Sequence, residues 1–567
     1  MENKFDAIVI GTGISGGWAA KELTEKGLKT LVLERGRMVR HIEDYPTVNM
    51  HPWEFEGGIT KTQKIYKDHP KQTRTSQITE HSKHFFVNDN DHPYNEEKPF
   101  NWIRGYHVGG RSLIWGRQTY RLSDLDFEAN SKDGFGVDWP IRYKDISPWY
   151  DYVEDYIGVS GEKLGIAHFP DGKFLKPLEL NCAENYLKEK IAENYNDRIL
   201  TSARVAHITE GTKPGLGRVT CQNRNLCRRG CPYGAYFSSN SSTIPAAEAT
   251  GKMTLRPHSI AYEIMYDENT KKATGVKVID SETNLTYEYF SKVIFVCAST
   301  VGSTSILLQS KSNRFPNGMG NDSNELGHNL MDHHFVIGAN GYLDEFSDKT
   351  VYGRRPGGIF VPRFRNIDDK TKMKNFVRGY GYQGGGGRGI KPYDTVKELA
   401  AFGSVFKNML VDPGKWSANL SGFGEILPYH ENKMYLDYEK KDKWGLPTVT
   451  FDAKLRENEL EMRKDMKQQA HEMMESAGFK GVYSYDGIDR YNFGHGIHEM
   501  GTARMGKDPK TSVLNGNNQI HSVKNVYVTD GSCMTSAGNQ NPSITYMALT
   551  ARAVNHAVEE LKKMNIK

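Results

Sequence analysis

The stretch Ala7–Gly36, "AIVIGTGISGGWAAKELTEKGLKTLVLERG", constrains the fold more than any other part of the chain. A short apolar run leads into Gly11, Gly13 and Gly16 in the pattern G-x-G-x-x-G. A helical stretch follows and stops at Gly27, a natural C-cap. A second apolar run then ends at Glu34, 18 residues past Gly16. This is one strand–helix–strand unit of an α/β fold. The first glycine permits the tight turn, the second lets backbone approach a pyrophosphate, and the third lets the helix pack on the strand. The helix start offers unpaired N–H groups to phosphate, and the Glu34 carboxylate suits ribose hydroxyls. The unit therefore points to a bound dinucleotide, and the motif alone does not say which one.

At 567 residues the chain exceeds what one hydrophobic core usually serves, so more than one domain is expected. With 37% hydrophobic and 25% charged residues, a folded protein is expected. The net charge of +5 comes from 74 basic and 69 acidic residues spread along the chain, which argues against nucleic-acid binding. No apolar run reaches the length of about 18 residues that a membrane-spanning helix needs. The first strand begins near Phe5, which leaves no room for a cleavable leader. The expected location is the cytoplasm, or the periplasm if the folded chain is exported with a partner subunit.

Residues 37–100 are polar and weakly periodic and read as a long excursion over the surface. A second glycine cluster, "RGYHVGGRSLIWG", spans Arg104–Gly116. Residues 141–165 look helical, and "KVIFVCAST" at 292–300 is a buried strand feeding a helix. Between about 330 and 490 the chain is strand-rich and aromatic, and "GYGYQGGGGRG" (Gly379–Gly389) within it reads as a flexible loop. Near the carboxyl end Met547, Val554, Val558 and Leu561 fall on one face of an amphipathic helix. "GHGIHEMGTARMG" (Gly494–Gly506) places His495 and His498 in a glycine-rich loop. A neutral imidazole there is suited to accept a proton near neutral pH. Of the six cysteines, Cys182, Cys297 and Cys533 are scattered, whereas Cys221, Cys227 and Cys231 lie within eleven residues ahead of a proline. Such spacing lets thiolates converge on one small inorganic core, and it equally suits a structural loop of reduced cysteines.

The N-terminal unit, "VGGRSLIWG", "ELGHNLMDH", "HEMGTARMG", "YVTDGS" and "NPSITYMALTARA" together resemble the glucose–methanol–choline (GMC) oxidoreductases, in the family's order, from residue 6 to about 558. The resemblance implies a Rossmann-like FAD-binding domain built from residues 1–36, 100–130, 220–332 and 492–567. A substrate domain, with a large antiparallel sheet backed by helices, and surface excursions would take residues 37–99, 131–219 and 333–491.

The same resemblance assigns sites. Gly11, Gly13, Ser15, Gly16 and Glu34 should hold the ADP half of FAD, and Gly109, Gly110 and Ser112 should lie along the flavin and its phosphates. Asp530 and Gly531 should close the pyrophosphate site. Relatives that attach FAD covalently carry a histidine where Ile114 stands here, which implies non-covalent FAD. His498 should face the flavin as general base, with Asn541 as its partner and Pro542 opening the last helix towards the flavin. His495 has no counterpart in the motif and reads as structural or supporting. His328, His333 and His334 around Asp332 belong to the "NLMDH" turn, which argues for a cofactor-side loop over a metal site. The cysteine loop resembles that of membrane-linked FAD sugar dehydrogenases of the family, glucoside 3-dehydrogenases among them. In those enzymes it binds a three-iron, four-sulfur cluster, a small subunit carries the export signal, and a cytochrome takes the electrons. A cysteine pair often opens the loop in those chains; here Gln222 follows Cys221. The implied activity is oxidation of a secondary sugar hydroxyl, at C3 of a glucoside. A pyranose oxidase using oxygen and releasing peroxide is the alternative, and a non-catalytic flavoprotein comes third.

Overall fold

The computed structural model describes residues 3–56, 61–350, 353, 356–388 and 402–566. Among these, two large sheets organise the chain. The first is α/β. Its parallel core runs Met253–Arg256, Thr30–Leu33, Lys4–Ile10, Thr286–Val296 and Val523–Val528, side by side in that order. The helix Ile14–Glu25 follows the first strand as its spacing predicts. Parallel strands need cover on both faces and so read as continuous apolar runs. Ala7 and Val9 pack with the last helix, Ser543–Lys562, on one side. Ile8 and Ile10 pack into a larger cluster with Trp18 on the other. On that last helix Met547, Val554 and Val558 are buried, and Leu561 packs against the same cluster. Full burial of such a side chain is worth about 1.5–3 kcal/mol.

The strand Thr286–Val296 extends beyond the parallel core, where it pairs with the hairpin Ser259–Asp267 and Lys272–Asp280. It then feeds the helix Thr300–Gln309. The helix expected within 141–165 forms at Tyr143–Ile157.

The second sheet is antiparallel, in the order Lys480–Asp486, Ile337–Leu343, Trp416–Glu425, Tyr380–Gly387, Ile359–Val361 and Thr201–Ser202, with His333–His334 paired beside Trp416–Glu425. The helices Glu457–Ser476 and Cys182–Asn194 back it through Met462, Met466, Met473, Leu187 and Ile191.

Two readings change. The glycine run is not a flexible loop: Tyr380–Gly387 is an inner strand, paired with Trp416–Glu425 along its whole length. Gly389, the end of that reading, lies outside the described residues. A side chain at Gly384 would overlap the carbonyl oxygen of Asn419, so glycine here serves close packing rather than mobility. The stretch 37–99 is more than a surface excursion. Val39, Tyr45, Val48, Ile65, Ile78 and Phe85 bury one another and pack on Ile103 and Leu113. No helix among the described residues is long and apolar enough to cross a membrane.

Candidate active site

A cleft of about 520 Å³ runs from the carboxyl end of the parallel strands to the face of the antiparallel sheet. Gly11 has a positive φ of 100°, which the turn after the first strand requires. A side chain at Gly16 would overlap the carbonyl oxygen of Gly11, whereas a Cβ at Gly13 would meet nothing within 4 Å. The helix behind them has no side-chain cap and no acid in its first turn, so its first N–H groups are left to the cleft. Ser15 lines the cleft and is tied by its hydroxyl to the carbonyl of Thr529 at 3.3 Å. Glu34 closes this end, accepting from Thr12 Oγ1 and from the Gly36 N–H at 3.0 Å. Burial raises its pKa above the usual carboxylate range.

Gly110, Arg111 and Ser112 form a tight turn along one wall. Gly109 does not itself line the cleft; its φ of 89° sets the turn, and a Cβ there would overlap the Asn240 side chain. Asp530 and Gly531 lie opposite. The Asp530 carboxylate caps the turn Gly531–Cys533 through the Ser532 N–H at 3.0 Å and also accepts from Ser303. Arg111 pairs with the buried Glu499 at 2.9 Å and so clamps this turn to the His498 loop.

At the far end His498, Asn541, His495, Phe335, Phe423 and Gln383 share the wall. The His333 ring fixes the protonation of His498. Its Nε2 lies 2.8 Å from the Gly538 carbonyl oxygen, which can only accept, so that nitrogen carries the hydrogen. His333 Nδ1 then holds the lone pair and accepts from His498 Nδ1–H at 3.0 Å. What remains on His498 is an unprotonated Nε2. Burial, together with His333 and Arg111, drives the His498 pKa well below its ordinary value, and burial holds His333 down at about 4. Both rings are therefore neutral at neutral pH.

Asp332 positions the loop by accepting the N–H groups of Gly496 at 2.9 Å and His498 at 3.0 Å. Burial raises its pKa to about 7. Donor atoms of Asp332, His333 and His498 lie within 4.8 Å of one another. The backbone bonds to Asp332 and the shared proton between the rings already satisfy them. His334 is buried within its short strand of the sheet, and His328 stacks on His430. Asn541 Oδ1 accepts from Gln383 Nε2 at 2.7 Å. Pro542 stands at the N-cap of the last helix, whose Ser543 and Tyr546 reach the cleft. His495, read from sequence as structural or supporting, lines the cleft and packs edge-on against Phe335.

Cys221, Cys227 and Cys231 line a small pocket of about 30 Å³ with His207 and Tyr236. Positive φ angles at Asn223, Asn225 and Gly230 coil the loop around this pocket, and Cys227 Sγ lies 4.0 Å from His207 Nε2. The three cysteines are unbridged, and they are not among the described donor groups that close to within 4.8 Å, the spacing a single ion would need. Tyr236 joins the two sites: it lines the cysteine pocket and its hydroxyl donates to the Leu113 carbonyl of the cleft turn at 2.7 Å.

The GMC oxidoreductase N-terminal family model matches residues 216–335, and the C-terminal model matches residues 428–550, which includes the His498 loop and Asn541. The chain belongs to the GMC oxidoreductases. It is 26% identical to a 2-methyl-1,2-propanediol dehydrogenase of Mycolicibacterium austroafricanum, over 97% of this chain and 94% of that one. It is 23% identical to the fructose dehydrogenase large subunit of Gluconobacter japonicus, over 98% of each. In fold it matches the crystal structure of pyridoxine 4-oxidase from Mesorbium loti with a TM-score of 0.57 and 14% identity, covering 97% and 98% of the two chains. As a GMC oxidoreductase it is an FAD-binding enzyme that oxidises CH–OH donors. The cleft fits that cofactor, with open space over Gly13, uncapped helix N–H groups and the Glu34 carboxylate each where the ADP half needs them.

Within this GMC oxidoreductase, motif reading missed Gln383, the His333–His498 contact and the Arg111–Glu499 clamp. Gln383 gave no signal because it sits between Tyr382 and Gly384 in a run that carries no motif. The His333 pairing was hinted at only by the "DH" of the NLMDH turn.

Proposed function

We propose that this enzyme oxidises a secondary hydroxyl of a sugar or glycoside, with C3 of a glucoside as the position, giving the 3-keto sugar. The observation that carries the reading is the hydrogen-bond chain Gly538–His333–His498, which leaves His498 Nε2 unprotonated in the cleft that Asn541 also lines. His498 Nε2 takes the hydroxyl proton as the carbon loses hydride and its C–O bond becomes a carbonyl. The Asn541 Nδ2 group, opposite the oxygen that Gln383 holds, donates to the same hydroxyl and orients it. FAD supplies the hydride acceptor when bound; Gly11, Gly13, Ser15, Gly16 and Glu34 hold its ADP half, and Gly110, Ser112, Asp530 and Gly531 the rest. With Ile114 in the wall where covalent relatives carry histidine, the cofactor is held without a covalent bond.

The substrate end supports a carbohydrate. Phe335 and Phe423 stack on each other at 5.2 Å and offer apolar faces, while Gln383, Asn541 and His495 offer polar anchors. Relatives that act on fructose and gluconate agree with this class. In the same reading Cys221, Cys227 and Cys231 hold a three-iron, four-sulfur cluster, which supplies one-electron transfer outward to a cytochrome, with a small subunit as companion.

Anaerobic mixing of the purified protein with a panel of sugars and glucosides tests the reading. Flavin bleaching by glucosides, and product NMR placing the carbonyl at C3, are the expected results. Bleaching by simple alcohols alone would contradict it, and stoichiometric peroxide in air would favour the oxidase alternative. Iron analysis and a brown absorbance shoulder in anaerobic preparations check the cluster, and flavin released by acid checks non-covalent binding.

A further inference from the structure

Gln383 stands alone on its face of the strand Tyr380–Gly387, flanked on that face by Gly381 and Gly385. A Cβ at Gly381 would come within 2.9 Å of the Asn539 side-chain nitrogen, so the loop carrying Asn541 lies directly on this strand. The missing side chains let the loop down onto the sheet, and the one side chain kept there reaches Asn541. Its Nε2–H donates to Asn541 Oδ1 at 2.7 Å. An amide has one accepting and one donating end, so a bond that claims the oxygen turns the NH2 group the other way. Asn541 and Gln383 line the same cleft as His498.

We propose that Gln383 is a positioning residue that sets the rotation of the Asn541 amide, so that the cleft sees a hydrogen-bond donor there rather than an acceptor. This rests on the reading that Asn541 orients the substrate hydroxyl. Its consequence is a division of labour. The hydroxyl oxygen accepts from Asn541 Nδ2–H, and the hydroxyl hydrogen points to His498 Nε2. With the amide reversed, two acceptors would compete for the one hydrogen and nothing would bind the oxygen.

The test compares Gln383→Glu with Gln383→Met. Glutamate has the shape of glutamine but as a carboxylate only accepts, so it draws the Asn541 NH2 group towards itself and presents the oxygen to the cleft. Methionine fills the space and leaves the amide free to turn. Flavin reduction is followed anaerobically by stopped flow, with a donor that bleaches the wild type. FAD content and thermal unfolding are measured alongside to certify the fold. The expected result is a limiting reduction rate lowered about 10²-fold in Gln383→Glu, the size of a lost oriented donor. Gln383→Met should lose only about tenfold, as for one net hydrogen bond. A merely structural role predicts the reverse order, with the isosteric glutamate milder than methionine, and that order overturns the proposal. Equal rates in both variants overturn it as well. Should Gln383→Glu fail to fold, Gln383→Met and Gln383→Asn carry the test. Asparagine is too short to reach Asn541, so it should resemble methionine, and wild-type rates in both would reject the proposal. His498→Ala, run in parallel, separates the two readings. Full activity there removes the base assignment, whereas loss there with the Gln383 order reversed removes only this inference.

Discussion

The turn Gly11–Gly16 and the strand end Gly384–Gly387 are both built on glycine, and at Gly13 and Gly384 the absent side chain serves opposite ends. At the first stretch a Cβ on Gly13 would project into open cleft, whereas at the second a Cβ on Gly384 would strike the backbone of Asn419. One gap is kept for a ligand from outside the chain, and the other is filled by the chain itself. The lesson is that glycine density does not distinguish a ligand cradle from close sheet packing; the neighbour across the gap does.

The largest effect that would sharpen this contrast is on the cradle side. Gly13→Ala should lower FAD affinity about 10²-fold, the scale of forcing an extra methyl into a filled site. The melting temperature of the apoprotein should stay unchanged, since the methyl meets nothing there. Titration of apoprotein with FAD and a thermal scan check both halves. On the packing side Gly384→Ala should cost about 1–3 kcal/mol of stability by denaturant unfolding. FAD affinity should be unchanged. Gly387→Ala on the same strand, where a Cβ meets nothing within 4 Å, serves as control and should be neutral or slightly stabilising. Destabilisation by Gly13→Ala equal to that by Gly384→Ala would break the comparison.

A smaller effect concerns the loop at the far end of the cleft. Burial and the Arg111 charge lower the His498 pKa, and His333 faces it as a neutral ring. The base form therefore survives in acid where an ordinary histidine, with pKa about 6.5, would be protonated. In Asp332→Asn, which removes the loop carboxylate that burial holds at about 7, the limiting rate of flavin reduction should change less than about twofold between about pH 8 and about pH 5.5. A fall that tracks a group of ordinary histidine pKa would contradict the assignment.

What was legible in the sequence was local. The strand–turn–helix–strand unit up to Glu34 shows itself because its apolar runs, glycines and acid are consecutive, and the last helix because Met547, Val554 and Val558 repeat on one face. The antiparallel sheet was legible as a class, but Tyr380–Gly387 was not legible as a strand. Its strand character comes from partners in Trp416–Glu425 and not from its own propensity. The stretch 37–99 hid its buried cluster because Val39, Ile65 and Phe85 are too widely spaced to form a periodic face. Within the site, His498 and Asn541 sit in motifs, but the contacts that orient them span 165 residues to His333 and 158 to Gln383. No local pattern encodes such a contact.

In the proposed mechanism the bare Nε2 of His498 takes the proton as hydride leaves the substrate. Anaerobic stopped-flow reduction of the flavin in His498→Ala, with FAD content matched to wild type, measures it. A limiting rate lowered by about 10²–10⁴-fold is predicted, the usual worth of a positioned general base. Reduction at the wild-type rate would contradict the claim.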